Sequence, residues 1–362
     1  MTMTLATEPA QRSTRLSIVD CDIHNTPRPK ALLPYLPERW RDYYERFGRR
    51  AGYPGSFYPK ASPNAARRDA WPPSGDPPGS DLAFLRAQLL DAWEIDYGIL
   101  NTLIPVQNSI PEYDAAMARA INDWQLTEWL EPEPRLRASI VVPCEDGELA
   151  AADIDRLGAD PRFVQVLLPV RTRAPLGQRF YWSLYAAAVR HDLPVGIHFG
   201  GGSGFPITGA GWPSYYIEDH AGMAQAFQAQ VISLICEGVF ERFPTLRVVL
   251  IEGGFAWLPS LVWRLDRSWR RLRDEVPHLQ RLPSDVVRTQ IWLTTQPMEE
   301  PTKPAHVLQL LDQLDLVDHL VFATDYPHWD FDAPDQAIPF RLAPHVERKI
   351  MADNARALYR LP

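Results

Sequence analysis

Eight short apolar or β-branched runs, each lying beside a longer amphipathic stretch, constrain this chain more than any other feature of its sequence. They fall at 17–23 (SIVDCDI), 97–103 (YGILNTL), 138–142 (ASIVV), 163–168 (FVQVLL), 194–199 (PVGIHF), 247–251 (RVVLI), 290–294 (QIWLT) and 319–323 (HLVFA). Continuous runs of this length, rather than long alternations, are the pattern of strands buried on both faces. Apolar residues at helical spacing mark 82–93, 113–130, 148–157, 180–191, 222–243, 256–275 and 305–314. Repeated alternation of strand and helix demands parallel strands joined by right-handed crossovers. Eight strand candidates, with a helix candidate after each of the first seven, is the tally of a closed (β/α)8 TIM barrel. The rival, an open doubly wound sheet, places a glycine-rich turn after its first strand. Here that strand runs into Ile23-His24-Asn25-Thr26-Pro27, with no glycine.

A chain of 362 residues fits one such barrel of about 250 residues with insertions, so 1–362 is read as a single domain. A net charge of −8 argues against a nucleic-acid partner, which would want a basic face. No uncharged apolar run reaches the ~18 residues of a membrane span, and the first fifteen residues lack a secretory apolar core. Cys21, Cys144 and Cys236 form no CxxC pair, so the expectation is a reducing, cytoplasmic setting. Proline is abundant, at 35 residues, and concentrates in 54–78 and 334–344. The first of these stretches lies in a Pro-rich insertion at about 30–81, directly after the first strand. On a barrel it would hang over the catalytic face as a lid or an oligomer arm, and Phe47, Tyr53, Phe57, Tyr58 and Trp71 favour an ordered one.

Barrel chemistry sits at the C-terminal ends of the strands, so the polar residues there are the candidates. Asp22 and His24 are two apart and share a strand face, which makes them half of a divalent-metal site. His198 ends the fifth run, Glu252 the sixth, and Asp325 follows the eighth within Thr-Asp-Tyr-Pro-His. One such residue alone would more often be a helix cap or a hydrogen-bonded core group. Asp22, His24, His198 and Asp325 together, at the ends of strands one, five and eight, point to a metal centre. His220 and His328 fall in loops on the same face and are candidates for proton transfer or substrate contact. Glu252 is open to three roles: ligand, general base, or acceptor for a ligand histidine. His191, His278, His306, His319 and His345 read as surface or core residues.

Taken together, Asp-x-His, His-x-Gly-Gly, Glu-Gly-Gly-x-x-Trp-x-Pro with the later Arg264-x-Asp266, and Thr-Asp-Tyr-Pro-His resemble the amidohydrolase superfamily. Within it the chain is most similar to the amidohydrolase-2 group, which includes aminocarboxymuconate-semialdehyde and γ-resorcylate-type decarboxylases. The resemblance runs from about Ser17 to the closing Asn354-Ala-Arg-Ala-Leu-Tyr. It implies one divalent ion, Zn²⁺ ahead of Mn²⁺, on Asp22, His24, His198 and Asp325, with Asp22 replacing the commoner His or Glu. It implies acid/base work by Asp325, His220, Glu252 or His328, with Glu252 standing where the prototype has a histidine. Arginines for a substrate carboxylate (Arg171 and Arg264, with Arg173, Arg67 and Arg68 nearby), Trp71 against a planar substrate, and a homodimer follow from the same resemblance. The implied reaction is non-oxidative decarboxylation of a small aromatic or unsaturated carboxylic acid. The alternative is hydrolysis of an amide, ester or lactone by water activated on the metal.

Overall fold

Eight parallel strands follow one another around a single sheet in the order β1 to β8. They are β1 (Val19–Ile23), β2 (Tyr97–Leu100), β3 (Leu136–Val141), β4 (Phe163–Pro169), β5 (Val195–His198), β6 (Val248–Ile251), β7 (Ile291–Thr294) and β8 (Leu320–Val321). In this computed structural model the described residues are 15–47, 61, 63–104, 106–107, 110–201, 208–313 and 315–362. Nearly every strand residue is buried, because helices cover the outer face and side chains fill the inner one. The architecture is the (β/α)8 barrel that the alternation of runs implies.

Most expected helices are present, among them Pro111–Gln125, Gly147–Leu157, Trp182–Arg190 and Leu258–Arg271. The stretch 222–243 divides into Ala224–Cys236 and Val239–Arg242, because Gly238 takes a left-handed φ of 78° between them. Pro283–Gln290, Tyr216–Gly222 and the C-terminal pair Pro344–Arg348 and Asn354–Tyr359 are helices that periodicity did not mark.

The barrel closes at a seam between β8 and β1. β8 has only two residues, and a few contacts beyond it complete the join. Cys21 N donates to Phe322 O at 2.9 Å, His24 N to Tyr326 O at 2.7 Å and Asp325 N to Asp22 O at 3.1 Å. Asp20, fully buried, accepts from the Thr324 hydroxyl at 2.6 Å and its N–H at 3.0 Å. The seam therefore holds strand ends β1 and β8 side by side, and with them Asp22, His24 and Asp325.

Candidate metal centre

Asn101, the first residue past β2, positions both candidates on β1. Its carbonyl accepts from His24 Nδ1 at 2.7 Å, and its side-chain amide donates to Asp22 Oδ1 at 2.8 Å. With Nδ1 occupied, His24 turns Nε2 inward, 2.7 Å from Asp325 Oδ1 and 3.5 Å from Asp22 Oδ1. His198, the last residue of β5, is held in the same way: Nδ1 lies 2.6 Å from Phe199 O, and Nε2 lies 3.2 Å from Asp22 Oδ2. The two imidazoles stand 5.0 Å apart at 87°. The two inward Nε2 atoms and the Asp22 carboxylate thus lie within 4.8 Å of one another, Asp325 joins them through His24 Nε2, and all four residues are buried.

This donor set fits a borderline divalent ion such as Zn²⁺ or Mn²⁺. Each histidine is fixed in orientation by a carbonyl on its other nitrogen, as metal-binding imidazoles are. The electrostatics agree. Burial disfavours charge on His24, yet Asp22 and Asp325 outweigh it and push its pKa up to about 9. Burial likewise opposes ionisation of Asp325, but His328 and His24 hold its carboxyl below the usual range. Asp22 is also held down, by His24 and His198 against its own burial. Protons on the histidines supply the counter-charge that an ion would supply, so ion uptake releases protons.

Glu252 and Asp325 both adopt left-handed backbone, with φ of 61° and 60°. For non-glycine residues this costs about 1–2 kcal/mol each. It is sustained by the Glu252 N–H on Thr294 Oγ1 at 3.0 Å and the Asp325 N–H on Asp22 O. Burial, Asp325 and Asp330 push the Glu252 carboxyl well above its ordinary pKa. His328 stacks on His24, with centroids 4.5 Å apart, and its Nδ1 lies 2.6 Å from Asp325 Oδ1. His220 Nε2 is 2.9 Å from Asp330 Oδ2. Gln296, two residues past β7, donates to Asp330 Oδ2 at 3.0 Å and Asp325 Oδ2 at 3.3 Å.

A cavity of about 730 Å³ opens beside these groups. His198, Glu252, His328, Asp330 and Tyr216 form its polar end, while Ile104, Val106, Val142, Leu168 and Phe199 make apolar walls. Ala61 and residues 63–65 of the insertion supply another wall, tied by Arg67 N to Pro327 O at 3.0 Å and Trp329 N to Ala65 O at 2.7 Å. Gly79, at φ 74°, lets the insertion cross the His24 carbonyl so closely that a Cβ there would lie 2.2 Å from its oxygen. No Lys or Arg is among the described lining residues.

The structure thus brings together Asp22, His24, His198, Asp325, Glu252, His328 and His220. It does not bring in the expected substrate contacts. Arg264 is exposed on the helix Leu258–Arg271, and Trp71 is exposed and off the cavity. Arg171 is buried; it donates to Asp219 Oδ1 at 2.7 Å, and its guanidinium lies over Phe199 rather than lining the cavity. Arg173 is largely exposed beside Glu145, Arg67 pairs with Asp69, and Arg68 is exposed. Tyr53, Phe57 and Tyr58 lie outside the described residues. Asn101, Gln296 and Asp330 are the site residues that sequence reasoning missed. Asn101 and Gln296 are polar groups just past strand ends, so the rule that found Asp22 applies to them too.

A family model described as amidohydrolase matches residues 19–361. The γ-resorcylate decarboxylase of Polaromonas sp. (strain JS666) is 24% identical over 302 residues, covering 78% of this chain and 88% of its own length. That of Rhizobium sp. (strain MTP-10005) is 25% identical with the same coverage. Among solved structures, an amidohydrolase of Mycobacterium avium subsp. paratuberculosis K-10 superposes with a TM-score of 0.72 at 21% identity, over 96% of this chain and 100% of its own. A dihydroxybenzoic acid decarboxylase of Polaromonas sp. JS666, with bound manganese and 2-nitroresorcinol, gives 0.68 at 20% identity, over 96% and 98%. The chain belongs to the amidohydrolase family and is a metal-dependent enzyme of that superfamily.

Proposed function

We propose that this enzyme is a non-oxidative decarboxylase of small aromatic or unsaturated carboxylic acids, with hydroxybenzoic acids as the first class to test. The observation that carries the reading is the cavity, whose apolar walls fit a planar ring and whose polar end includes the candidate ligand His198. The similarity to γ-resorcylate decarboxylases over most of both chains supports the same chemistry.

Asp22, His24, His198 and Asp325 are the residues that would hold the ion, Zn²⁺ or Mn²⁺. The manganese in related decarboxylase structures supports the second. When bound there, it would supply the positive charge that a substrate carboxylate and its neighbouring oxygen need, in a cavity whose described walls carry no Lys or Arg. Ile104, Val142, Leu168 and Phe199 exclude water and hold the ring. His328, hydrogen-bonded to Asp325 and stacked on His24, holds a proton at the cavity wall and delivers it to the ring carbon as CO2 leaves. The insertion at about 30–81 acts as a lid, a role supported by the wall that its residues 63–65 form. A homodimer fits the exposed Trp263 and Leu272 on the outer helical layer. No helix among the described residues is long and apolar enough to cross a membrane.

The test is to strip the purified enzyme of metal, reload it with Mn²⁺ or Zn²⁺, and follow CO2 release over a panel of hydroxybenzoates. Release that requires the ion is the expected result. Turnover of amides, esters or lactones with no CO2 from any acid would replace decarboxylation with hydrolysis.

A further inference from the structure

Beside the four candidate ligands, a second set of donor atoms converges. His220, Glu252 and Asp330 each bring one ligand-type atom within 4.8 Å of the others. They arrive from separate elements: the helix Tyr216–Gly222, the end of β6, and the loop after β8. His220 Nε2 and Asp330 Oδ2 are 2.9 Å apart.

Two observations show that the cluster is unsatisfied as it stands. Glu252 is only 4% exposed, yet its carboxylate accepts no hydrogen bond among the described residues; its ion-pair partner, His198 Nε2, is 3.5 Å away. Gln296, fully buried, donates through Nε2 to Asp330 and Asp325, while its Oε1 has no hydrogen-bond partner among the described residues. Buried polar groups left in this way are costly unless something binds them.

Charge points the same way. An ion on the first site would balance Asp22 and Asp325. Glu252 and Asp330 would still have only His220 to balance them, since His198 would be turned to that ion. A carboxylate substrate would meet this uncompensated charge directly.

We propose that His220, Glu252 and Asp330 form a second divalent-cation site, with Glu252 standing between it and the first. One imidazole and two carboxylates are a harder donor set than the two imidazoles and two carboxylates of the first site, so Mn²⁺ is the ion it selects over Zn²⁺. The second ion gives an anionic substrate another positive anchor. The proposal rests on the first-site reading only for the charge balance.

The experiment counts ions. Untagged full-length enzyme is stripped with chelator, dialysed against Mn²⁺ and assayed for bound manganese by mass spectrometry, with EPR as the second readout. Wild type is expected to hold two ions per chain, and His220→Ala and Asp330→Asn one each. His198→Ala should lose the other ion. Asp330→Asn keeps the shape of the side chain and carries the test if His220→Ala does not fold. One ion in wild type, unchanged in both variants, overturns the proposal. One ion that survives His198→Ala but is lost in His220→Ala supports the second site and removes the first.

Discussion

Replacing Asn101 with alanine separates the two candidate ligands on β1. The carbonyl that orients His24 remains, but the amide that holds Asp22 Oδ1 at 2.8 Å is lost. Its Oδ1, which accepts from the Ser139 hydroxyl at 2.6 Å, goes as well. A hydrogen bond to a charged group contributes about 1.5–3 kcal/mol, and a stranded buried hydroxyl costs about 1–3 kcal/mol, so the loss is about 2.5–6 kcal/mol. At ~2.1 cal/mol/K per residue over 362 residues, the unfolding entropy is about 0.76 kcal/mol/K, and Tm falls by about 3–8 °C. An unrestrained Asp22 should also weaken the ion by about 10- to 100-fold, the usual effect of removing a ligand's supporting partner. Calorimetric melts and a competition titration against a chromophoric chelator measure the two effects separately. If Tm falls as calculated while affinity stays within about two-fold of wild type, Asp22 is not held for an ion and the site is wrongly drawn.

Gly79→Ala, forced into left-handed backbone with its Cβ 2.2 Å from the His24 carbonyl, should cost more than about 3 kcal/mol in thermal melts and loosen metal binding with it. His328→Phe keeps a ring on His24 but cannot bond Asp325, so CO2 release should fall by about 100-fold with metal content unchanged. Glu133, held down to about 2 by Arg135 against its burial and further by Arg86, has a folded pKa below its ordinary 4.5. Its stabilising contribution is therefore complete above pH 4.5 and lost as pH falls towards 2. Glu133→Gln should be less stable than wild type at pH 7 by about 1–2 kcal/mol, after discounting for its part-exposed arginines, with the gap closing across that window in denaturant titrations.

The barrel was legible because strands covered on both faces carry uninterrupted apolar runs, and each of the eight runs overlaps a strand. Their ends were less legible. The run 97–103 stops as a strand at Leu100, which leaves Asn101 free to turn its side chain into the site. The helices Pro283–Gln290 and Tyr216–Gly222 are short, and Gln290, read as the start of a strand, is the last residue of the first. Strand ends named Asp22, His24, His198, Glu252 and Asp325 because a barrel sends such positions to one face. No comparable rule governs loop arginines and aromatics. Motif order placed Arg264 near the site, and the insertion's position placed Trp71 there, but their direction depends on packing that a linear pattern does not encode.

The seam gives the ion a further part in the life of this fold. Asp22 and His24 lie on one lip, Asp325 on the other, 301 positions from His24 along the chain. β8 contributes only two ladder residues, so this is the join with the least backbone pairing to resist local opening. At the proposed site an ion would span both lips and act as a clasp on the whole ring. Amide exchange at Cys21, His24 and Asp325 would then gauge occupancy, slow with the clasp fastened and fast without it.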